Sequence, residues 1–178
     1  MMAVLQTSAD AEIVPPKRTG PRPRTRTALP HLQLEQWPPA EILAELMERS
    51  RELPYVRPRE SRMASPESVA LSLPDRYAQG PRQAFIDANE FSHLHPLPEG
   101  GIHLTLPAEI RAVALDAGWV EPHPASRIGA VPEELVLVSA ARNRKELEVV
   151  WGLLTASYRF ARWGRADGVR WSPEERSA

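Results

Sequence analysis

Residues 93–107 read HLHPLPEGGIHLTLP, and how they are read decides the fold. Apolar and polar residues alternate, the chain reverses at P-E-G-G (98–101), and the alternation resumes, which is the pattern of an antiparallel hairpin. His93 and His95 are two positions apart, so on a strand they leave the same face. His103 is on the return strand, and the side it faces depends on the loop. A three-residue loop at 99–101 sets His103 opposite Leu97, on the side of His93 and His95. A two-residue loop at 100–101 sets it opposite Pro98, on the other side. The pattern does not choose between them. Pro96 has no N–H and fits an edge or a bulge.

Downstream the periodicity becomes helical. Pro107 suits a first helical position, Glu109 falls in the first turn, and Ile110, Val113, Ala114 and Ala117 recur until Gly118 supplies a left-handed stop. ELVLVS (134–139) reads as a short buried strand. Asn143 and Glu146 resemble a capping box. They open a helix that turns Leu147, Val150, Trp151, Leu154, Tyr158 and Ala161 to the core. Upstream, SVALSL (68–73) alternates with Val69, Leu71 and Leu73 on one face and predicts a strand, and AFI (84–86) predicts another. LPDRYAQGP (73–81) is a turn-rich connection, and YVRPRESRM (55–63), broken by Pro58, is an edge strand or a loop. PPAEILAELMERSREL (38–53) predicts a first helix with a stripe of Ile42, Leu43, Leu46, Met47 and Leu53, stopped by Pro54.

This mixture predicts an α+β fold. We expect a single compact domain, a mainly antiparallel sheet with about three helices packed on it, and a disordered or extended N-terminal arm. Residues 1–36 would be a Pro/Arg-rich flexible arm, 37–163 the α+β domain, and 164–178 a polar C-terminal tail. The 178 residues suit one domain. In the arm, VPPKRTGPRPRTRTALPHLQ (14–33) carries five basic residues from Lys17 to Arg26 and no acid. It has no aromatic ring to stack on a base, so it reads as a solvated tail, or one laid across the domain through Leu29, Leu32 and Leu34, rather than a nucleic-acid tether. The 22 basic residues nearly balance the 23 acidic ones, which also argues against nucleic acid. MMAVLQTSADAEIV does not read as a secretion signal, and no apolar run approaches the ~18 residues of a membrane span. The expected address is the cytoplasm, the expected partner a small molecule, and a homodimer is an allowed assembly.

The absence of cysteine removes disulfides, iron–sulfur ligation and thiol catalysis, leaving His, Asp and Glu as metal ligands. There is no flavin or nucleotide motif of the G-x-G-x-x-G or P-loop kind, and no G-x-S-x-G. His123, bracketed by prolines in the loop GWVEPHPAS (118–126), is a fourth histidine, which a helix running back along the sheet would return to the hairpin. Two chemistries follow. His93, His95, His103 and His123 are candidate ligands for a transition metal, iron, copper or zinc. Without a metal, His95, His103 and His123, with Glu90 or Glu121 as carboxylate partner, are candidate acid/base groups for an isomerisation, cyclisation or hydrolysis. The alternative is a non-catalytic ligand-binding or protein-interaction module in which the histidines are structural. Ser92 points away from its neighbour His93, Arg82, Arg127 and Arg142 are candidate anion contacts, and Phe91 and Trp119 are expected to wall the site. Trp163 and Trp171 mark a contact surface or cover the core.

Together, the stretch from Ala70 to Pro107 containing E-F-S-H-L-H-P and H-L-T-L-P, AGWVEPHP (117–124) and ELEVVWGLLTASYRFA (146–161) resemble the luciferase-domain family of bacteria and fungi. The likeness covers roughly residues 35–163. The family's Y-A-P-R-D after the buried strand is replaced here by SAARNR (139–144). The resemblance implies a compact domain organised around Glu90, His93, His95, His103 and His123. Our own expectation beside it is a small-molecule enzyme of bacterial specialised metabolism with a histidine-lined pocket. Light emission does not follow from the resemblance.

Overall fold

The computed structural model describes residues 14–167. The expected leader reading, Trp171 and most of the polar tail lie outside the described residues.

Six strands form one antiparallel sheet in the order β1 (Arg57–Glu60), β2 (Val69–Ser72), β3 (Glu90–Leu94), β4 (Ile102–Thr105), β6 (Leu135–Val138) and β5 (Val120–Pro122). The α-helices are α1 (Ala40–Glu52), α2 (Ala108–Asp116) and α3 (Arg144–Trp163). This is the expected α+β fold. Helix α3 crosses β3 and β4, α2 lies against β5, and α1 packs on α3. Leu71, Leu94, Ile102, Leu104, Val136 and Val138 line the helix side of the sheet and meet Leu147, Val150, Leu153 and Leu154 of α3. Each such fully buried side chain contributes roughly 1.5–3 kcal/mol.

Asn143 caps α3 by accepting the Glu146 N–H at 3.0 Å. The reciprocal half of the capping box is displaced by one residue, because Glu146 accepts from the Arg142 N–H rather than from that of Asn143. The left-handed stop at Gly118 is present, with φ +83°.

Three expectations need correction. AFI is not a strand: Ala84 ends a 3₁₀ turn (Arg82–Ala84), and Ile86 donates to the Glu90 carbonyl across a tight reversal. So short an apolar run is the same whether it pairs in a sheet or plugs a core. GWVEPHPAS is not all loop, since Val120–Pro122 pairs with β6 as an edge strand, where Pro122 is tolerated. The hairpin loop is longer than either length considered. His93 pairs with His103 and His95 donates to the Gly101 carbonyl, leaving 96–100 as the loop. Five is an odd number, so His103 shares the face of His93 and His95.

The face opposite the helices is covered by irregular chain: 14–36, 61–68 and 123–131. Residues 14–36 reach this face from the end of α2 and are tied down along the way. Trp119 Nε1 donates to the Pro16 carbonyl at 2.6 Å, Arg18 N–H to Ala117 at 2.8 Å, and the buried Gln33 accepts the Ala140 N–H at 2.9 Å. Leu32 is buried, whereas Leu29 and Leu34 are exposed.

Candidate functional site

The strand registers put one row of residues on the loop-covered face: Arg59, Ala70, His93, His103, Leu137 and Glu121 are successive cross-strand partners from β1 to β5. Strict alternation would put Glu90 on the other face with Ser92 and Leu94. A bulge intervenes. Leu71 pairs with Ser92 and Ser72 with Glu90, so Phe91 is the extra residue. The bulge turns Phe91 into the helix-side core against Tyr158 and brings Glu90 under His93. Phe91 therefore does not wall the site. Trp119 is likewise part of the helix-side core.

All five histidines converge, including His31 from the N-terminal arm, which sequence reasoning did not connect to the site. His93 Nε2 and His95 Nε2 lie 3.1 and 2.9 Å from His103 Nδ1. His103 Nε2 is 3.1 Å from His31 Nδ1, and His31 Nε2 is 2.5 Å from Glu121 Oε1. On the far side of the cluster His93 Nδ1 meets Glu90 Oε1 at 2.8 Å, while His95 Nδ1 lies 3.3 Å from Ser65 Oγ. Glu90, fully buried, also accepts from Ser61 Oγ at 2.9 Å and faces Arg59 at 3.5 Å. His123 stacks edge-on to His31 and His103, with centroids 5.2 and 5.1 Å away.

Proton bookkeeping constrains this network. Glu90 is an acceptor, so Nδ1 of a neutral His93 carries the proton and Nε2 has the lone pair. Glu121 likewise takes the Nε2 proton of His31, leaving the His31 Nδ1 lone pair toward His103. His103 then donates from Nε2, and its Nδ1 is also bare. Two lone pairs, on His93 Nε2 and His103 Nδ1, thus face each other at 3.1 Å. His95 Nε2 points at the same spot. Such an arrangement calls for a cation between the nitrogens.

A metal ion or a proton would serve, and three of the rings resist a proton. Burial, then the neighbouring His93, pushes the His95 imidazole down to about 3. Burial and the surrounding histidines hold His103 well below its ordinary value, and burial and His31 bring His123 to about 4. These imidazoles are neutral at pH 7, the form that ligates metals. Burial alone would raise Glu121, but hydrogen bonds from His31 and Thr25 hold it below the usual carboxylate range.

Two groups could hold a metal ion: His93, His95 and His103, or His31, His103 and His123. With metal–nitrogen bonds of about 2.1 Å, ligand nitrogens stand about 3.0 Å apart at right angles and about 3.4 Å apart in a tetrahedron. In the first group His103 Nδ1 already has such spacing to His93 Nε2 and to His95 Nε2. In the second, His123 Nδ1 accepts the Ala125 N–H at 3.2 Å, so its Nε2 carries the proton and has no free lone pair.

The cluster opens into a cavity of about 580 Å³ walled by Leu29, Pro30, Met63, Pro66, Ile86 and Val131. Among the described residues no carboxylate, lysine or arginine lines it. Arg82 and Arg142 are held elsewhere, by the Phe85 carbonyl and by Glu146, and Arg127 does not reach the cavity. Ser92 faces the helix side, buried with no hydrogen-bond partner among the described residues. His31 left one trace in the sequence: it is the lone histidine of the arm, between Leu29 and Leu32.

Fold and site define a small α+β protein with a buried histidine cluster at the base of an apolar cavity. The family described as Luciferase domain matches residues 88–157, which bears out the resemblance read from the motifs. The match spans β3 to α3 and holds every histidine of the cluster except His31. Proteins named luciferase from Armillaria gallica and Armillaria ostoyae are each 26% identical over 159 residues, covering 80% of this chain. The chain spans 59% of the length of each of these relatives. Both are fungal, so the bacterial setting expected from the sequence draws no support from them. No solved structure matches the chain.

Proposed function

We propose that the chain is a small-molecule enzyme that works through a transition metal held by His93, His95 and His103. The observation that carries this reading is the placement of His93 Nε2 and His95 Nε2 at 3.1 and 2.9 Å from His103 Nδ1, three buried ring nitrogens gathered where one ion could meet them all. The outward nitrogens fit as well: each meets an oxygen or a further imidazole, the arrangement that fixes the ring orientation of a ligating histidine. When bound, a metal with open coordination positions would supply Lewis acidity or a redox centre to a substrate oxygen.

The remaining roles fall to the chain's own residues. His123, held by Ala125, presents an Nε2–H as a donor for substrate. Glu90 and Glu121 orient rings rather than meet substrate. The apolar walls select an uncharged molecule and exclude water, which strengthens each polar contact at the base. The luciferase name of the relatives does not bring light emission into this proposal.

Elemental analysis of protein purified without a histidine tag tests the reading. Near-stoichiometric iron, copper or zinc is expected, lost in a folded His95→Ala/His103→Ala double variant and kept in His123→Ala. A metal-free wild type with unchanged stability in the double variant would instead favour acid/base work by the His93–Glu90 and His31–Glu121 pairs. A metal-free wild type with a collapsed double variant favours the structural, non-catalytic role.

A further inference from the structure

Besides the sheet and the loops 61–68 and 123–131, residues 14–36 also enter the site, and this route has no explanation in the family match, which begins at residue 88. The path of this segment is specific. Thr25 and Gln33 form an antiparallel bridge, Arg26 N–H donates to Leu32 at 2.8 Å and Leu34 N–H to Arg24 at 2.9 Å, closing a loop with His31 inside it. Gln33 fastens that loop: its amide donates to the Glu35 and Gln36 carbonyls at 2.8 and 2.9 Å, and its oxygen accepts from Ala140 at 2.9 Å. His31 is 3% exposed and Gln33 1%. A solvated tail has no reason to bury either.

What His31 does there follows from the tautomer of His103. A free imidazole carries its proton on either nitrogen, so a buried histidine with one bare partner on each side would be divided between two forms. His31 removes the choice. Glu121 takes its Nε2 proton at 2.5 Å, which leaves Nδ1 as an acceptor 3.1 Å from His103 Nε2. His103 is thereby fixed with the proton on Nε2 and the lone pair on Nδ1, toward His93 and His95. Glu121 reaches this position because β5 places it on the same cross-strand row as His103, one strand beyond Leu137.

We propose that His31, braced by Glu121, is a positioning residue of the metal centre, and that the N-terminal strap exists to deliver it. The inference rests on the metal reading above. His31 is not itself a ligand in it: His31 Nδ1 is occupied by the His103 proton, and its Nε2 by Glu121.

The test is cobalt(II) titration of full-length protein, followed by visible absorption, with circular dichroism confirming that each variant is folded. His31→Leu keeps bulk and loses both hydrogen bonds, and should weaken cobalt affinity about 10- to 100-fold with an altered cobalt spectrum. His31→Gln should restore most of the affinity and the wild-type spectrum, since an amide offers an acceptor to His103 and a donor to Glu121. A purely structural role would not distinguish the two once both are folded. Should His31→Leu not fold, Glu121→Leu reads the same brace, with a smaller loss in affinity. Wild-type affinity and spectrum in His31→Leu, or in Glu121→Leu where that is the variant read, overturn the inference and leave the metal reading standing. A wild type that takes up no cobalt overturns the metal reading, and this inference falls with it.

Discussion

At the scale of single residues, burial keeps the His95, His103 and His123 imidazoles neutral at pH 7. That has a consequence for the metal-free protein. The pKa of His95 is near 6.5 in the unfolded chain and about 3 in the folded one, and that of His103 is also lowered. Above pH 6.5 neither state binds these protons and the pair leaves stability unchanged. As pH falls below 6.5 the unfolded chain takes up protons that the native state refuses, so stability is lost, by at most about 1.4 kcal/mol per pH unit for each histidine. Urea unfolding between pH 7 and 4 should show this decline. His95→Gln should lessen it, and added zinc should raise stability at pH 7 and progressively less toward pH 5 as protons compete. A stability that is level across this range in the metal-free protein would mean the imidazoles are solvated rather than buried.

At the scale of elements, the hairpin decides which residues meet. Gly100 sits in its loop at φ +62°, and a Cβ there would lie 2.3 Å from Pro38 Cγ at the start of α1. Gly100→Ala meets both a strained backbone and a clash, and should cost at least ~1 kcal/mol, read as a lowered melting temperature. Asn143→Ala removes the α3 cap and should cost ~1 kcal/mol with no effect on the site, a useful contrast. The elements also show what a sequence pattern carries. Helices α1, α2 and α3 and strands β2 and β6 were legible because their apolar spacing is set by the element itself. The bulge at Phe91 was not, because one extra residue leaves no mark on composition while reversing the face of everything before it. Loop parity, and hence the side of His103, was illegible for the same reason: the choice is made by pairing partners across the hairpin. The convergence of His93, His95 and His103 could be posed from the sequence only as a condition on that loop.

At the scale of the whole molecule, the N-terminal segment matters most, because its sequence and its setting point different ways. By composition it is basic and proline-rich, the profile of a tail that solvates itself or tracks a polyanion. In the fold three of its five cations are engaged internally: Arg18 donates to the Pro21 carbonyl and to Gln36, Arg22 to the Leu115 carbonyl, and Arg24 pairs with Glu35. Phosphates would have to compete with these partners, so the full-length protein should show no salt-dependent shift on a short DNA or RNA duplex in a gel assay at low ionic strength. Removing residues 1–34 takes away the acceptor of the Trp119 indole N–H, the burial of Leu32 and the cavity walls at Leu29 and Pro30. Loss of the buried Leu32 should lower the melting temperature, and loss of Pro16 should shift tryptophan emission to the red as Trp119 meets water. A flexible tail would leave both unchanged on deletion. An integral strap changes both, and loses cobalt binding in the same step, because the truncation takes His31 with it.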